Sequence, residues 1–113
     1  MSYQFLQVEQ HDQVAYVWLN RPELHNAFNT TVIEELHTCF KQLATRDDIR
    51  VVVLAGRGKS FSAGADLNWM KQAGQASAEE NEADALKLAK MLEALATLNQ
   101  PTIARVHGIA FGG

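Results

Sequence analysis

Five consecutive apolar residues, Val51-Val52-Val53-Leu54-Ala55, constrain this chain more than any other segment. A strand that is apolar on both faces reads as covered on both sides, the condition of a central strand in a parallel sheet. A parallel neighbour needs a crossover connection, and the preceding sequence supplies one. Val14–Leu19 alternates Val14, Tyr16 and Trp18 with Ala15, Val17 and Leu19, again apolar on both faces. Between the two strands, Ile33, Leu36, Phe40 and Leu43 recur at helical spacing. Residues 3–8, with Tyr3, Phe5, Leu6 and Val8, read as a first strand. The order strand, strand, helix, strand predicts an α/β unit with a right-handed crossover.

The punctuation agrees with that order. Pro22 removes a ladder donor and restricts Arg21, ending the second strand. Asn29 or Thr31 can cap the first helix, and Thr31 with Glu34 has capping-box spacing. Asp66 is placed to start a short helix through Lys71, with Gly74-Gln75-Ala76 as a linker. Ser77 and Glu80 make another capping box. The helix they open carries Leu88, Leu92 and Leu95 as its apolar stripe, with Ala85, Ala89 and Ala96 near it. Pro101 ends that segment, and residues 102–106 read as a further strand. There is no internal repeat, low-complexity tract or domain boundary, so 113 residues amount to one domain or a piece of a larger one.

Composition excludes several classes of function. Ten Lys and Arg against thirteen Asp and Glu give a formal charge of -3, so nothing argues for nucleic acid or an anionic membrane surface. The longest apolar run is far too short to cross a bilayer. No targeting signal opens the chain, and cytoplasmic residence is the expectation. Cys39 is the sole cysteine, which rules out an internal disulfide. With no cation nearby to lower its pKa, it reads as a small buried hydrophobe.

Several familiar motifs fail on inspection. Gly58-Lys59-Ser60 lacks the glycine a phosphate-binding loop needs five positions earlier, where Val53 stands in a strand. Gly58-Lys59-Ser60-Phe61-Ser62 has serine where a hydrolase elbow needs its last glycine. Ser62 has no identifiable activating base. His11, His25, His37 and His107 do not have metal-ligand spacing, so no metal is expected.

Two runs of small residues survive this filter. In Ser62-Ala63-Gly64-Ala65-Asp66 the plain reading is a tight turn with Asp66 as N-cap. The functional reading is that the Ala63 N–H points into a ligand site. In Gly108–Gly113 the plain reading is a strand end where another backbone packs closely. Taken together, two such runs suggest a two-donor oxyanion hole, because small side chains admit a ligand and leave main-chain N–H groups to bind it.

At these residues the chain resembles the crotonase superfamily, the enoyl-CoA hydratase/isomerase family. The matching pieces, in family order, are Leu19-Asn20-Arg21-Pro22-Glu23, Asn26-Ala27-Phe28, residues 51–56 and Phe61-Ser62-Ala63-Gly64-Ala65-Asp66-Leu67. Pro101-Thr102-Ile103-Ala104 and Gly108-Ile109-Ala110-Phe111-Gly112-Gly113 complete them. The resemblance implies a spiral of ββα turns, of which residues 1–113 are the N-terminal part of a single domain, assembled as trimers or pairs of trimers. It implies binding of acyl-coenzyme A thioesters, with coenzyme A part of the substrate and no separate cofactor.

By motif position, Ala63 and Gly113 are the backbone oxyanion donors. Ala63, Gly64, Ala65, Asp66 and Leu67 line the coenzyme site, and His25 and Ala27 contact the coenzyme. The family's hydratases use two glutamates for proton transfer, both placed beyond the position of Gly113, so no general acid or base is nominated here. Leu67-Asn68-Trp69-Met70 and residues 107–113 look most like hydratases of branched, carboxylated enoyl-CoAs such as methylglutaconyl-CoA. Trp69 is either an acyl-pocket wall or core. Isomerisation, other acyl-CoA chemistry and a non-catalytic coenzyme-binding or oligomerising module are the alternatives. Some relatives bind RNA through a lysine-bearing helix, but residues 30–45 carry only Lys41, so no RNA partner is expected. Arg21, Arg57, Lys59 and Lys71 are the cations available to coenzyme phosphates, each with a solvated surface charge as its plainer role.

Overall fold

The computed structural model describes residues 3–62, 64 and 66–108, with Leu67 and Asn68 described by their backbone alone. A four-stranded sheet forms from β1 (Leu6–His11), β2 (Val14–Leu19), β3 (Val51–Gly56) and β4 (Thr102–Arg105), in that spatial order. β1 and β2 are antiparallel, while β2, β3 and β4 run parallel. β3 is therefore the central parallel strand that its apolar run predicts. The helices are α1 (Thr30–Ala44), α2 (Leu67–Gln75) and α3 (Ala78–Ala96), with a 3-10 turn at Pro22–Leu24.

The first strand is shifted from its expected bounds. β1 pairs with β2 from Leu6↔Leu19 to His11↔Val14, so the hairpin closes through Asp12 and Gln13 alone. Asp12 takes the positive φ (55°) that this tight connection needs. Register, not local apolarity, sets the ends. Upstream of β1, the Gln4 and Phe5 N–H groups donate to the Glu35 carboxylate at 2.6 and 2.8 Å, anchoring that segment to α1.

Of the two candidate caps for α1, Asn29 takes the role, its Oδ1 accepting the Val32 N–H at 3.0 Å. Thr31 lies inside the first turn. The face carrying Ile33, Leu36, Cys39, Phe40 and Leu43 joins Ala15, Val17, Leu19 and Val52 in one buried cluster. α3 packs along α1 over the same side of the sheet. Its stripe differs from the expected one. Met91 is the buried residue, with Leu88 and Leu95 half-buried beside it, and Leu92 is 48% exposed. At 3.6 residues per turn Leu92 lies about 100° around the helix from Met91, so it cannot share a narrow contact line with it. Gly74 and Gln75 continue α2 rather than forming a linker.

The other sheet face has no helix over it among the described residues. Tyr16 and Trp18 stack there, and the Arg57 guanidinium lies 3.8 Å from the Trp18 ring centroid. Covering on both sides, expected for β2, is thus a helix layer on one side and the arginines Arg57 and Arg105 on the other. Every residue of β4 is exposed. No helix among the described residues is long and apolar enough to cross a membrane.

Candidate functional site

Residues 21–28, which leave β2, and residues 57–66, which leave β3, meet at the C-terminal ends of two parallel strands. Ligand sites of parallel sheets favour that position. Asn26 is the junction. It is 1% exposed and holds a left-handed backbone (φ 56°), which asparagine tolerates better than most residues. Its Oδ1 accepts the Arg21 N–H at 2.8 Å. Its Nδ2 donates to the carbonyls of Arg57, Ser60 and Phe61 at 2.9, 2.9 and 3.1 Å. Two amide hydrogens thus serve three acceptors, and the amide orientation is fixed from both ends.

Further backbone bonds close the two loops together. The Phe28 N–H donates to the Gly64 carbonyl at 2.6 Å, and the Asp66 N–H donates to the Phe28 carbonyl at 2.7 Å. Ser62 Oγ donates to the Asn26 carbonyl and accepts the Gly64 N–H, both at 3.1 Å. Ser62 is buried and its hydroxyl is committed at both ends, which agrees with its rejection as a nucleophile. The tight-turn reading of this segment holds as well: Gly64 has φ 82°, and Asp66 caps α2 by accepting the Trp69 N–H at 3.0 Å.

The end of β4 arrives at the same loop. The Phe61 N–H donates to the His107 carbonyl at 2.9 Å, and His107 Nε2 lies 2.8 Å from the Gly58 carbonyl oxygen. Gly108 has φ 60°, and a Cβ there would stand 2.0 Å from the Lys59 carbonyl oxygen. The close backbone approach expected of this strand end is therefore present at its first glycine.

Among the residues nominated from sequence, His25, Ala27, Gly64 and Asp66 come together here. His25 is exposed, with φ 51°, and its Nδ1 lies 3.1 Å from Ser60 Oγ. Ala27 is 7% exposed, Gly64 is buried, and Leu67 is the first residue of α2. Ala63, Ala65 and Gly113 lie outside the described residues. Two of the four candidate phosphate partners have structural roles instead. Arg21 is buried against Asp66 and donates to the Ala27 carbonyl at 3.0 Å. Arg57 is held by Glu9, Gln7 and Trp18. Lys59 and Lys71 are exposed. Trp69 packs against the core, in line with its core reading, and also borders a mainly polar cavity of about 250 Å³ with Arg21, Asn29, Asp66 and Gln72.

Sequence reading passed over Asn26 as a working residue and missed the Arg21–Asp66 pair. The available signal was slight: an asparagine just past a proline turn, where a left-handed residue is common. Its three carbonyl partners are 31 to 35 residues away, beyond any local pattern.

Residues 9–113 match the sequence profile of the family described as Enoyl-CoA hydratase/isomerase. An enoyl-CoA hydratase from Shewanella pealeana superposes with a TM-score of 0.93 at 37% identity, over 96% of this chain and 41% of that one. The short-chain-enoyl-CoA hydratase of Clostridium acetobutylicum is 34% identical over 111 residues, 94% of this chain and 40% of the relative. The mitochondrial Delta(3,5)-Delta(2,4)-dienoyl-CoA isomerase of Mus musculus is 35% identical over 124 residues, 99% of this chain and 37% of the relative. The chain spans about two fifths of the length of the relatives it matches.

Proposed function

Because the chain belongs to the enoyl-CoA hydratase/isomerase family, we propose that the protein binds acyl-coenzyme A thioesters and adds water to a 2-enoyl-CoA. One observation carries this reading at the site. The bonds between Phe28 and the Gly64–Asp66 segment bring the two stretches expected to contact coenzyme A side by side. In the proposed chemistry the Ala63 and Gly113 N–H groups hold the thioester oxygen. Charge on that oxygen grows as the enolate forms, so fixed donors favour the transition state over the bound substrate. A backbone donor needs no side chain, which accounts for the small residues in both runs. No residue of this chain is assigned as the acid or base.

A branched, carboxylated substrate such as methylglutaconyl-CoA is the finer proposal, and it rests on the likeness of Leu67–Met70 and of residues 107–113. Double-bond isomerisation is the second reading. It is favoured by near-equal identity to a hydratase and to a dienoyl-CoA isomerase, which means this region does not separate the two activities.

The test is turnover by the full-length protein of crotonyl-CoA, methylglutaconyl-CoA and a 3-enoyl-CoA. Hydration of the first two supports the proposal, and isomerisation of the third without hydration supports the second reading. In an active protein Ala63→Pro removes one donor and lowers kcat by about a hundredfold. A folded, fully active Ala63→Pro variant refutes the oxyanion assignment.

A further inference from the structure

We propose that Asn26 is the positioning residue of the acyl-CoA site, acting through the loop backbones rather than on the substrate. The inference deepens the proposed function and rests on it. Its ground is the direction of the Asn26 bonds. The side chain contributes nothing to a helix or strand; all four of its bonds go to loop backbone, one within residues 21–28 and three within residues 57–61. Its main-chain carbonyl takes the Ser62 hydroxyl, which in turn accepts the Gly64 N–H. One residue thus ties the segment of His25 and Ala27 to the segment that runs through Ser62 into Gly64.

The neighbouring glycine shows how little slack the arrangement has. A Cβ at Gly56 would stand 2.6 Å from the Phe61 carbonyl oxygen and 2.9 Å from Asn26 Nδ2. The amide therefore sits against the last residue of β3 as well as against the loop, and it cannot move without carrying the loop carbonyls with it. Burial makes the bonds matter: an amide withdrawn from water must keep its partners, and so must the carbonyls around it.

Asn26→Asp is the sharpest perturbation. It keeps the acceptor for the Arg21 N–H but turns a carboxyl oxygen toward three carbonyl oxygens. Asn26→Ala removes both ends and places alanine in a left-handed conformation. Phe40→Leu, in the α1 core and outside both loops, is the control for lost stability.

The experiment measures KM for enoyl-CoA, coenzyme A affinity and thermal unfolding of the full-length protein and its variants, well below every unfolding midpoint. Asn26→Asp and Asn26→Ala are expected to raise KM and weaken coenzyme A binding at least tenfold. Phe40→Leu is expected to lower the unfolding midpoint and leave both constants within twofold. Folded Asn26 variants with unchanged constants overturn the proposal, as does an equal loss of affinity in Phe40→Leu. Where the Asn26 variants do not fold, Ser62→Ala decides. It cuts only the link from Asn26 to Gly64 and is expected to raise KM at least threefold, and an unchanged KM overturns the proposal. A parent protein that neither binds nor turns over acyl-CoA overturns the underlying function, a result distinct from an active parent whose variants are indifferent.

Discussion

Arg21 Nη1 lies 2.7 Å from Asp66 Oδ2, and the two side chains are 11% and 7% exposed. The pair joins the loop after β2 to the cap of α2 across 45 residues of sequence. Arg21 also lies over the Phe5 ring at 5.0 Å, which ties the same point to the chain entering β1. Burial places this pair outside the class of surface ion pairs, whose net worth is small. Removing one partner of a buried pair leaves the other charged and desolvated.

Asp66→Ala is therefore expected to lose about 3–5 kcal/mol, most of it from the stranded Arg21 and about 1 kcal/mol from the lost cap. Asp66→Asn keeps an acceptor for the Trp69 N–H and is expected to lose less. The double variant Arg21→Met/Asp66→Asn is expected to lose less than the sum of its single changes. Urea unfolding of the parent, the three single variants and the double variant checks the order, and additive losses would contradict a coupled pair.

Gly108 and Gly74 predict opposite responses to the same substitution. Gly108→Ala drives a methyl into the Lys59 carbonyl from a positive φ, and a loss of more than about 2 kcal/mol is expected. At Gly74, which is helical, a Cβ would meet nothing within 4 Å among the described residues beyond its own helix backbone. Gly74→Ala is expected to stabilise by about 0.5 kcal/mol, less than a mid-helix change because it falls in the last turn. Thermal unfolding separates the two by sign.

Burial pushes the Cys39 thiol up to about 11. Only the thiolate reacts readily, so at pH 8 the folded protein is expected to resist alkylation at Cys39. Peptide mass spectrometry of iodoacetamide-treated protein is expected to show labelling at least a hundredfold slower than in urea. Fast labelling of the native protein would contradict the burial of this residue on the core face of α1.

Asp48 is held well below the usual carboxylate range, first by its hydrogen bond from Arg46 and then by one from Gln10. A depressed carboxylate favours the folded state above the ordinary aspartate pKa, and that contribution is lost as pH falls through the folded value. Both side chains are about half exposed, so salt screens the effect. In an NMR pH titration the Asp48 carboxyl is expected to titrate below the ordinary aspartate range, and Arg46→Gln is expected to return it toward that range. An unchanged midpoint in Arg46→Gln would contradict the assigned cause.

What the sequence determined by itself was one-dimensional. The apolar run at residues 51–55 named the central strand, the spacing of Ile33, Leu36, Phe40 and Leu43 named the buried face of α1, and Ser77 and Asp66 marked two helix starts. Each depends on periodicity or on partners within a few residues, and that information is local. The motif run through Asp66 named the family for the same reason: it is read residue by residue.

Tertiary structure decided what depends on distant partners. Pairing with β2 moved β1 to Leu6–His11, although Tyr3 and Phe5 are as strand-like as Leu6. Contact with α1 chose Met91 over Leu92. Asp66 turned Arg21 from an available cation into a buried one. Asn26 became the junction of the site because residues 57–61 fold back over it. Hydrogen bonds and ion pairs across 30 to 50 residues leave no period in the sequence, since what selects them is the geometry of the sheet that brings the loops together.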